Sequence, residues 1–278
     1  MKELFDKVSL KCSRYVTTSY STSFSLGIKC LEKPLRDPIC SIYGFVRFAD
    51  EIVDTFHDYD KQDLLDRFKA DTYKAIDEKI SLNPILNSFQ HTVNRYNIDL
   101  DLIEKFLYSM EMDLTKTQYN QSKYEEYILG SAEVVGLMCL KVFCNGELAQ
   151  YERLKPYAMK LGSAFQKINF LRDLNADYVE MGRTYFPGVE LNNFDEKEKL
   201  EIEKDIQEDF SMGLEGIKKL PKSSRFGVYL AYVYYYALFN KIRRTPSSSV
   251  LNKRIRIPNQ VKFSILFYTY LKHRLNII

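Results

Sequence analysis

The stretch Gln166-Lys-Ile-Asn169-Phe-Leu-Arg172-Asp173-Leu-Asn-Ala-Asp177 places polar residues at helical intervals in an otherwise apolar segment. Asp173 and Asp177 are four residues apart, and Asn169 precedes Asp173 by the same interval, so all three share one helix face. Gln166 extends this polar stripe by a further turn. A stripe of this kind either faces water or binds a cation. The stretch therefore predicts a helix with a single polar face.

A second acidic pair occurs 123 positions earlier, where Asp50 and Asp54 repeat the one-turn spacing. Two carboxylates at this spacing repel each other and weaken a helix by a few tenths of a kcal/mol. A magnesium ion would reverse that effect, because it prefers hard oxygen ligands. Two antiparallel helices could bring the pairs face to face, so that several Mg²⁺ ions bind between the carboxylates and a diphosphate. By itself, either pair could equally be a solvated helix face.

Arginine residues accompany both acidic pairs. Arg47 lies one turn before Asp50, Arg172 directly precedes Asp173, and Arg183 follows in the next loop. A guanidinium group donates paired hydrogen bonds to phosphate oxygens. We therefore expect these three arginines to contact the same diphosphate as the metal ions.

The rest of the chain predicts an all-α fold. Gly and Pro are sparse, at 11 and 8 of 278 residues, and apolar residues recur at intervals of three and four. No segment has the composition of a linker, so we expect a single domain over residues 1–278. The predicted helices cover 5–20, 36–57, 61–79, 83–96, 99–115, 122–145, 150–181, 196–219, 223–244 and 259–274.

Composition excludes some classes of function. The net charge is +3, from 40 basic and 37 acidic residues, which argues against a nucleic-acid-binding protein. Five cysteines without a Cys-x-x-Cys pair favour free thiols in a reducing compartment. Because the first ten residues lack an apolar run, we expect the protein in the cytoplasm. The aromatic content, 21 Tyr and 18 Phe, fits an apolar pocket or a densely packed core.

Five segments, in the same order, resemble the squalene/phytoene synthase family over nearly the whole chain. The segment from Asn169 to Asp177 and the following Gly182-Arg-Thr-Tyr-Phe-Pro187 resemble the signature Asn-x-x-Arg-Asp-x-x-x-Asp and Gly-Arg-x-Tyr-Leu-Pro. The segment around Asp50 resembles the other aspartate-rich motif. The remaining similarities are Ser-x-Ser-Phe (Ser21–Phe24), Met-Asp-Leu (Met112–Leu114) and a Tyr-x-x-x-Val-Ala-Gly-x-Val-Gly element (Tyr127–Met138).

This resemblance implies a helical isoprenoid synthase fold around a central apolar cavity. It implies Mg²⁺, with Mn²⁺ as a substitute, and ionisation of one prenyl diphosphate, followed by attack of a second on the allylic cation. The implied metal ligands are Asp50, Asp54, Asn169, Asp173 and Asp177. The implied substrate contacts are Ser21, Ser23, Arg47, Gln166, Asn169, Arg172, Arg183 and Tyr185. Tyr43 and Tyr127 are expected beside the cationic carbons, where aromatic rings stabilise positive charge, and the aspartates, Tyr43 and Tyr127 form the expected catalytic set.

The chain departs from the family pattern in the Tyr127 segment. Ser131 and Glu133 occupy positions where the family has Val and Gly, which puts local packing or substrate contact in question. Tyr20 leads the Ser-x-Ser-Phe element, where some relatives have His. The chain retains both aspartate pairs, Arg47, Asn169, Arg172 and Tyr127, so we expect the catalytic set to be complete.

The favoured activity is condensation of two C20 diphosphates to phytoene, which ends in proton loss and needs no NADPH. The nearest alternative is a squalene or dehydrosqualene synthase that uses C15 substrates. A binding or assembly protein on the same fold would be expected to lose the aspartates. We expect a monomer that binds two prenyl diphosphates. Residues 263–271 are apolar enough to touch a bilayer, although a core helix is the simpler interpretation.

Overall fold

The computed structural model describes residues 1–115, 119–181, 183–189, 194–251 and 254–274, without the side chains of 176–181, 259, 263, 273 and 274. Within these residues the chain forms thirteen α-helices and one π-helical segment, and no β-strand. The all-α prediction is therefore confirmed. The helices are α1 (Lys2–Tyr20), α2 (Thr22–Lys29), α3 (Lys33–Asp54), α4 (Lys61–Glu78), α5 (Pro84–Tyr96), α6 (Leu100–Thr115), α7 (Gln121–Ile128), the π-helical segment (Leu129–Glu133), α8 (Val134–Cys144), α9 (Leu148–Met181), α10 (Glu196–Lys219), α11 (Lys222–Arg243), α12 (Ser247–Val250) and α13 (Asn259–Arg274).

Helix α3 runs through the core and carries the first acidic pair at its C-terminal end. Pro34 lies in its first turn, where a missing backbone N–H is tolerated. Phe45, in the middle of the helix, is fully buried and stacks on Phe89 at a ring-centroid distance of 3.9 Å. Burial of such a side chain contributes about 2–3 kcal/mol. This aromatic packing fixes the rotation of α3 about its own axis, so that Asp50 and Asp54 point in the same direction.

Helix α9 carries the second acidic pair and packs along α10. A capping box between Asp195 and Glu198 starts α10. Between the two helices, buried Asp209 accepts hydrogen bonds from Ser163 at 2.6 Å and Lys167 at 2.7 Å. Because Lys167 points toward α10, its neighbours Gln166 and Asn169 on α9 point elsewhere. The ion pair thereby helps to set the rotation of the polar stripe.

The π-helical segment Leu129–Glu133 lies where two glycines allow close backbone contact. A Cβ on Gly130 would lie 2.6 Å from the carbonyl oxygen of Lys105 on α6. A Cβ on Gly162 of α9 would lie 2.8 Å from the carbonyl oxygen of Ala132. The extra residue of the π turn lets this backbone bend between α6 and α9.

Gly162→Ala is expected to lower the free energy of unfolding by about 1–3 kcal/mol, the usual cost of overpacking. The new methyl group would meet backbone atoms of Ala132 and Glu133, which cannot turn aside as a flexible side chain can. Urea unfolding at fixed pH measures the change. An unchanged unfolding midpoint would show that α9 can shift away from the π-helical segment at little cost.

One helical run among the described residues, Gln121–Cys144, is long and apolar enough to cross a membrane, with a mean hydropathy of 1.6 in its most apolar window. Half of that window is buried inside the fold. The core helix of a soluble protein passes the same test of length and composition.

Candidate active site

An apolar cavity of about 250 Å³ lies at the centre of the helices. Two helical faces form its long walls, one running from Leu154 to Gln166 on α9 and one from Ser131 to Phe143. On both faces the lining residues recur at intervals of three and four, so each is a continuous stripe. Each stripe covers thirteen residues, and its twelve rises of about 1.5 Å amount to about 18 Å of helix. Small residues of α2, α10 and α11 close the other sides: Gly27, Gly213, Gly216, Gly227 and Ala231.

Three contacts connect one end of this cavity to the polar residues predicted from sequence. Phe24 in the cavity wall stacks on Tyr43 at 5.1 Å, and Phe165 stacks on Tyr235 at 4.0 Å. Gln166 accepts a hydrogen bond from the Asn169 side chain at 3.4 Å. The apolar cavity therefore ends where the two aspartate-bearing helices begin to present polar side chains.

Asp50 lies in an environment that disfavours its charge. Burial, followed by repulsion from Asp54, raises the pKa of Asp50 from its ordinary value of 3.8 to about 7. Arg47 opposes this shift, but its guanidinium lies 3.9 Å from Asp50 and contacts Glu51 more closely. The first acidic pair thus carries negative charge that the surrounding side chains leave partly uncompensated.

Arg47 itself is positioned for a further acceptor. Its guanidinium lies 4.5 Å above the ring of Tyr20, which holds the plane of the group. Its buried Nε has no hydrogen-bond partner among the described residues. An acceptor-rich ligand such as a diphosphate would satisfy this donor.

Asp113 lies in the candidate site, although the sequence analysis named it only within the Met-Asp-Leu element and gave it no role. It is buried on α6 and accepts hydrogen bonds from Tyr127 at 2.6 Å, Tyr119 at 3.2 Å and Tyr185 at 3.2 Å. Burial raises its pKa to about 6, against the opposing effect of Arg183. One sequence signal for Asp113 exists, since it is part of the Met-Asp-Leu element.

Arg183 joins the two halves of the site. This buried guanidinium lies 3.1 Å from Asp54 and donates to the backbone carbonyl of Asp113 at 2.9 Å. The loop after α9 is thereby attached to the C-terminal end of α3, 129 positions away. The fold places Arg183 beside the first acidic pair.

Asp173 is held by two arginines. Arg172 donates to one carboxylate oxygen at 3.0 Å, and Arg254 donates to the same oxygen at 2.7 Å. Arg254 lies on the segment that precedes α13 and is a second residue that sequence reasoning missed. A metal ion at Asp173 must displace at least one of these guanidinium groups. The side chain of Asp177, the other member of this predicted pair, lies outside the described residues.

Tyr43 on α3 and Asn169 on α9 both interact with Tyr235 of α11. Burial raises the pKa of Tyr43 to about 12, so its phenol is neutral near pH 7. Arg47, Asp50 and Tyr235 all act electrostatically on Tyr43, and the hydroxyl of Tyr235 lies 3.5 Å from Asn169. The Tyr43–Tyr235 pair therefore connects the stripe on α9 to the stripe on α3.

The remaining predicted residues occupy three places around this site. Ser21 caps the start of α2 and lies within hydrogen-bonding reach of Tyr43, and half-buried Ser23 follows in the first turn of α2. The ring of Tyr127 packs on Phe170 and Tyr185, in the aromatic cluster around Asp113 rather than in the cavity wall. Their predicted roles stay predictions.

The two departures from the family pattern lie on opposite sides of the π-helical segment. Ser131 lines the cavity, and its buried hydroxyl has no partner among the described residues. Glu133 points away from the cavity toward the cluster around Asp209, where burial raises its pKa and Lys160 opposes the shift. The carboxylate is therefore accommodated by neighbouring lysines.

The carboxylates fit magnesium in chemical type. Among the described residues, no three acidic, imidazole or thiol groups converge on one metal position. Mg²⁺ is commonly bound by only one or two carboxylates, with substrate phosphates and water completing the shell. The raised pKa of Asp50 means that its surroundings disfavour the ionised carboxylate, and a bound cation would offset this effect. Asp50 and Asp54 could hold a metal in this way.

Without metal, the pKa of Asp50 predicts a pH-dependent stability. Folding raises this pKa, so its contribution is fully present below about pH 4 and is lost as the pH rises through about 7. Asp50→Asn removes the contribution. Urea unfolding in EDTA should therefore show Asp50→Asn gaining stability over the wild type as the pH rises from 5 to 8. A difference that stays constant over this range would contradict the prediction.

Comparison with known proteins identifies the family. Residues 17–260 match the family model described as squalene/phytoene synthase. The phytoene synthase of Arthrospira platensis is 26% identical, covering 96% of this chain and 94% of that protein. Phytoene synthase 1, chloroplastic, of Zea mays is 27% identical over 87% of this chain, which spans 62% of that longer protein. The 4,4'-diapophytoene synthase of Staphylococcus haemolyticus is 24% identical over 84% of this chain and 87% of its own length.

The fold is also that of a solved structure. A crystal structure of a dehydrosqualene synthase in complex with ligand superposes with a TM-score of 0.81 at 20% sequence identity, covering 96% of this chain and 98% of that one. Because the family model covers most of the sequence, the chain belongs to the squalene/phytoene synthase family.

Proposed function

We propose that this protein condenses two prenyl diphosphates head to head, and that it joins two C20 chains to form phytoene. The observation that carries the proposal is an apolar cavity, lined by helical stripes about 18 Å long, that has a cluster of carboxylates and guanidinium groups at one end. The cavity suits a hydrocarbon chain, and the charged end suits a metal-bound diphosphate.

Each polar group has a role in this reaction. Asp50, Asp54, Asn169, Asp173 and Asp177 would hold Mg²⁺ at the diphosphate. When bound, the metal neutralises charge on the departing diphosphate. Five residues would donate hydrogen bonds to the diphosphate oxygens: Arg47, Arg172, Arg183, Ser21 and Ser23.

The protein around the reacting carbons must exclude water, because water would trap an allylic cation as an alcohol. Phe24, Phe165 and Tyr43 surround the junction of cavity and polar site. The phenol of Tyr43 stays neutral at physiological pH because its pKa is raised to about 12. Its ring can therefore stabilise a neighbouring cation without supplying a reactive phenolate.

The length of the helical stripes that line the cavity supports C20 substrates. An extended chain advances about 1.2 Å per bond, so the sixteen-carbon main chain of a C20 prenyl group spans about 18 Å and the twelve-carbon chain of a C15 group about 13 Å. The stripe from Leu154 to Gln166 is about as long as the longer chain. Similarity to two phytoene synthases supports the same choice.

A dehydrosqualene or squalene synthase activity is the second candidate. The similarity to a 4,4'-diapophytoene synthase and the fold of a dehydrosqualene synthase favour it. A C15 chain would fill only part of the cavity. In that case the residues beyond the reach of the chain, including Leu154, would line an unfilled end of the cavity.

Incubation with C15 and C20 diphosphates, each with Mg²⁺ and with or without NADPH, tests the proposal. We expect a C40 product from the C20 substrate, formed without NADPH. A C30 product as the main outcome would replace the first candidate with the second. Inactivity on both substrates, with Mn²⁺ also tested, would leave a binding or assembly role on this fold.

We also propose a cytoplasmic monomer that touches membranes peripherally, because such substrates and a hydrocarbon product reside in lipid. The C-terminal helix α13 supports this view. Its outer face exposes Phe267, Tyr268 and Leu271, with Phe267 66% exposed. Aromatic side chains of this kind are suited to the boundary between lipid and water.

A further inference from the structure

A second, polar pocket lies on the other side of α2 from the apolar cavity. It has a volume of about 370 Å³ and lies where α1, α2 and α3 meet. Ile28 is the one residue that lines both spaces, and no residue placed in the active site lines the polar pocket. The residues around it are Arg14, Thr17, Thr18, Ser25, Ile28, Lys29, Lys33, Arg36, Asp37 and Cys40.

The polar pocket is strongly basic. Four cationic side chains face one carboxylate, so ten residues carry an excess of three positive charges, as large as the net charge of the entire chain, +3. The carboxylate, Asp37, is already neutralised by Arg14, which donates to it through Nε and through Nη2 at 2.6 Å. Within the described chain, no carboxylate forms an ion pair with Lys29, Lys33 or Arg36, so the positive charge is unpaired.

The uncharged donors of the polar pocket are already in use. The hydroxyl of Thr17 donates to Ser13 at 2.8 Å, and that of Ser25 donates to Thr17 at 3.0 Å, both to backbone carbonyls. Arg36 uses its Nε on the carbonyl of Leu31 at 2.8 Å, which leaves its two terminal amino groups for a ligand. The donors that remain are therefore ammonium and guanidinium groups, which favour a compact anion over a sugar or another neutral polar molecule.

We propose that this pocket binds a phosphate group. Lys29 and Lys33 supply two ammonium charges, and Arg36 supplies a planar pair of donors that matches two phosphate oxygens. A phosphate group could belong to a soluble phosphate or diphosphate, or to an anionic phospholipid. The proposal is independent of the prenyl-transfer activity, because the pocket and the active site share no polar residue.

Binding at this pocket would act on the cavity through α2. Lys29 ends this eight-residue helix, and Lys33 and Arg36 lie in the first turn of α3. A phosphate bound by all three ties α2 to α3. The opposite face of α2 contributes Phe24 and Gly27 to the cavity wall, so an occupied pocket holds that wall in place.

Calorimetric titration with inorganic diphosphate in EDTA and low salt tests the proposal in the full-length protein. The double variant K29A/K33A is compared with wild type and with K197A/K204A, which removes two exposed lysines from α10. All three proteins keep the active site, so its contribution is common to them. We expect at least tenfold weaker diphosphate binding in K29A/K33A and no change in K197A/K204A.

Sedimentation with vesicles identifies the source of the phosphate group. Phosphatidylcholine vesicles, with and without phosphatidic acid, are mixed with the same three proteins. Binding that requires both phosphatidic acid and the two lysines assigns the pocket to a lipid headgroup, whereas lysine-dependent diphosphate binding alone assigns it to a soluble ligand. If K29A/K33A behaves like K197A/K204A in both experiments, the proposal is wrong.

Discussion

Replacing Asp50 with asparagine is expected to lower turnover at saturating substrate by about 100-fold or more, the usual effect of removing one group that stabilises developing charge. Asparagine keeps the shape of the side chain but removes the charge that binds a divalent cation. The fold should tolerate the change, because the pKa of Asp50, raised to about 7, shows that folding already favours the neutral form. The variant should therefore unfold at or above the wild-type temperature without metal.

The measurement is the initial rate with Mg²⁺ and each prenyl diphosphate, alongside thermal unfolding in EDTA. Asp58→Asn is the matched control, since Asp58 is an exposed aspartate shortly after the same helix. Wild-type turnover in Asp50→Asn would remove this carboxylate from the mechanism. Loss of activity together with loss of folding would make the result a structural effect.

Asp173→Asn is expected to lower turnover as well, but it is the less decisive variant. The carboxylate of Asp173 accepts hydrogen bonds from both Arg172 and Arg254. An asparagine there would leave two guanidinium groups short of an acceptor, so lost activity could come from displaced arginines. Among the described residues, Asp50 has no such close guanidinium contact, because Arg47 lies 3.9 Å away and contacts Glu51 more closely.

The long helices could be predicted from sequence because each has its own apolar periodicity and its own start signal. The prediction 83–96 matches α5, where Asn83 caps the helix and Pro84 begins it. Helix α2 was not predicted. Ser21 follows the last residue of α1 and also caps α2. The hydroxyl-rich stretch around it looks like the end of a helical pattern in the sequence, but in the structure it is the junction of two helices.

The segment predicted as one helix over 122–145 contains the π-helical turn Leu129–Glu133. Nothing in the local pattern indicates this turn, because it depends on contacts made by distant residues. Gly130 lies against the backbone of Lys105, and Gly162 lies against Ala132. The backbone adapts to two neighbouring helices, which single-segment reasoning does not include.

Some residues of the candidate site could be predicted from the sequence and others could not. Pairs such as Asp50 and Asp54 can be recognised because their spacing puts them on one helix face. Asp113 has no partner at helical spacing, since the groups that bind it come from three later segments, at Tyr119, Tyr127 and Arg183 to Tyr185. Its importance arises only when the fold brings those segments together.

Asp113→Ala is expected to lower the free energy of unfolding by about 3 kcal/mol or more, because it leaves buried phenol donors without an acceptor at about 1–3 kcal/mol each. Turnover in the folded fraction should also fall by about 100-fold. The side-chain hydrogen bond from Tyr127 and the ion pair of Asp113 with Arg183 would be lost. Urea unfolding and initial rates, both at pH 8, measure the two effects.

Asp113→Asn separates hydrogen bonding from charge. The pKa of Asp113 is raised to about 6 by burial, so the fold does not favour its charge. An asparagine whose carbonyl oxygen accepts from Tyr119 and Tyr185 keeps two of the three phenol hydrogen bonds, so we expect it to lose only about 1 kcal/mol, the net value of one typical hydrogen bond. If alanine and asparagine were equally destabilising, attraction to Arg183 would outweigh the phenol hydrogen bonds, and Asp113 would act as a counter-ion rather than as the acceptor that positions the aromatic cluster.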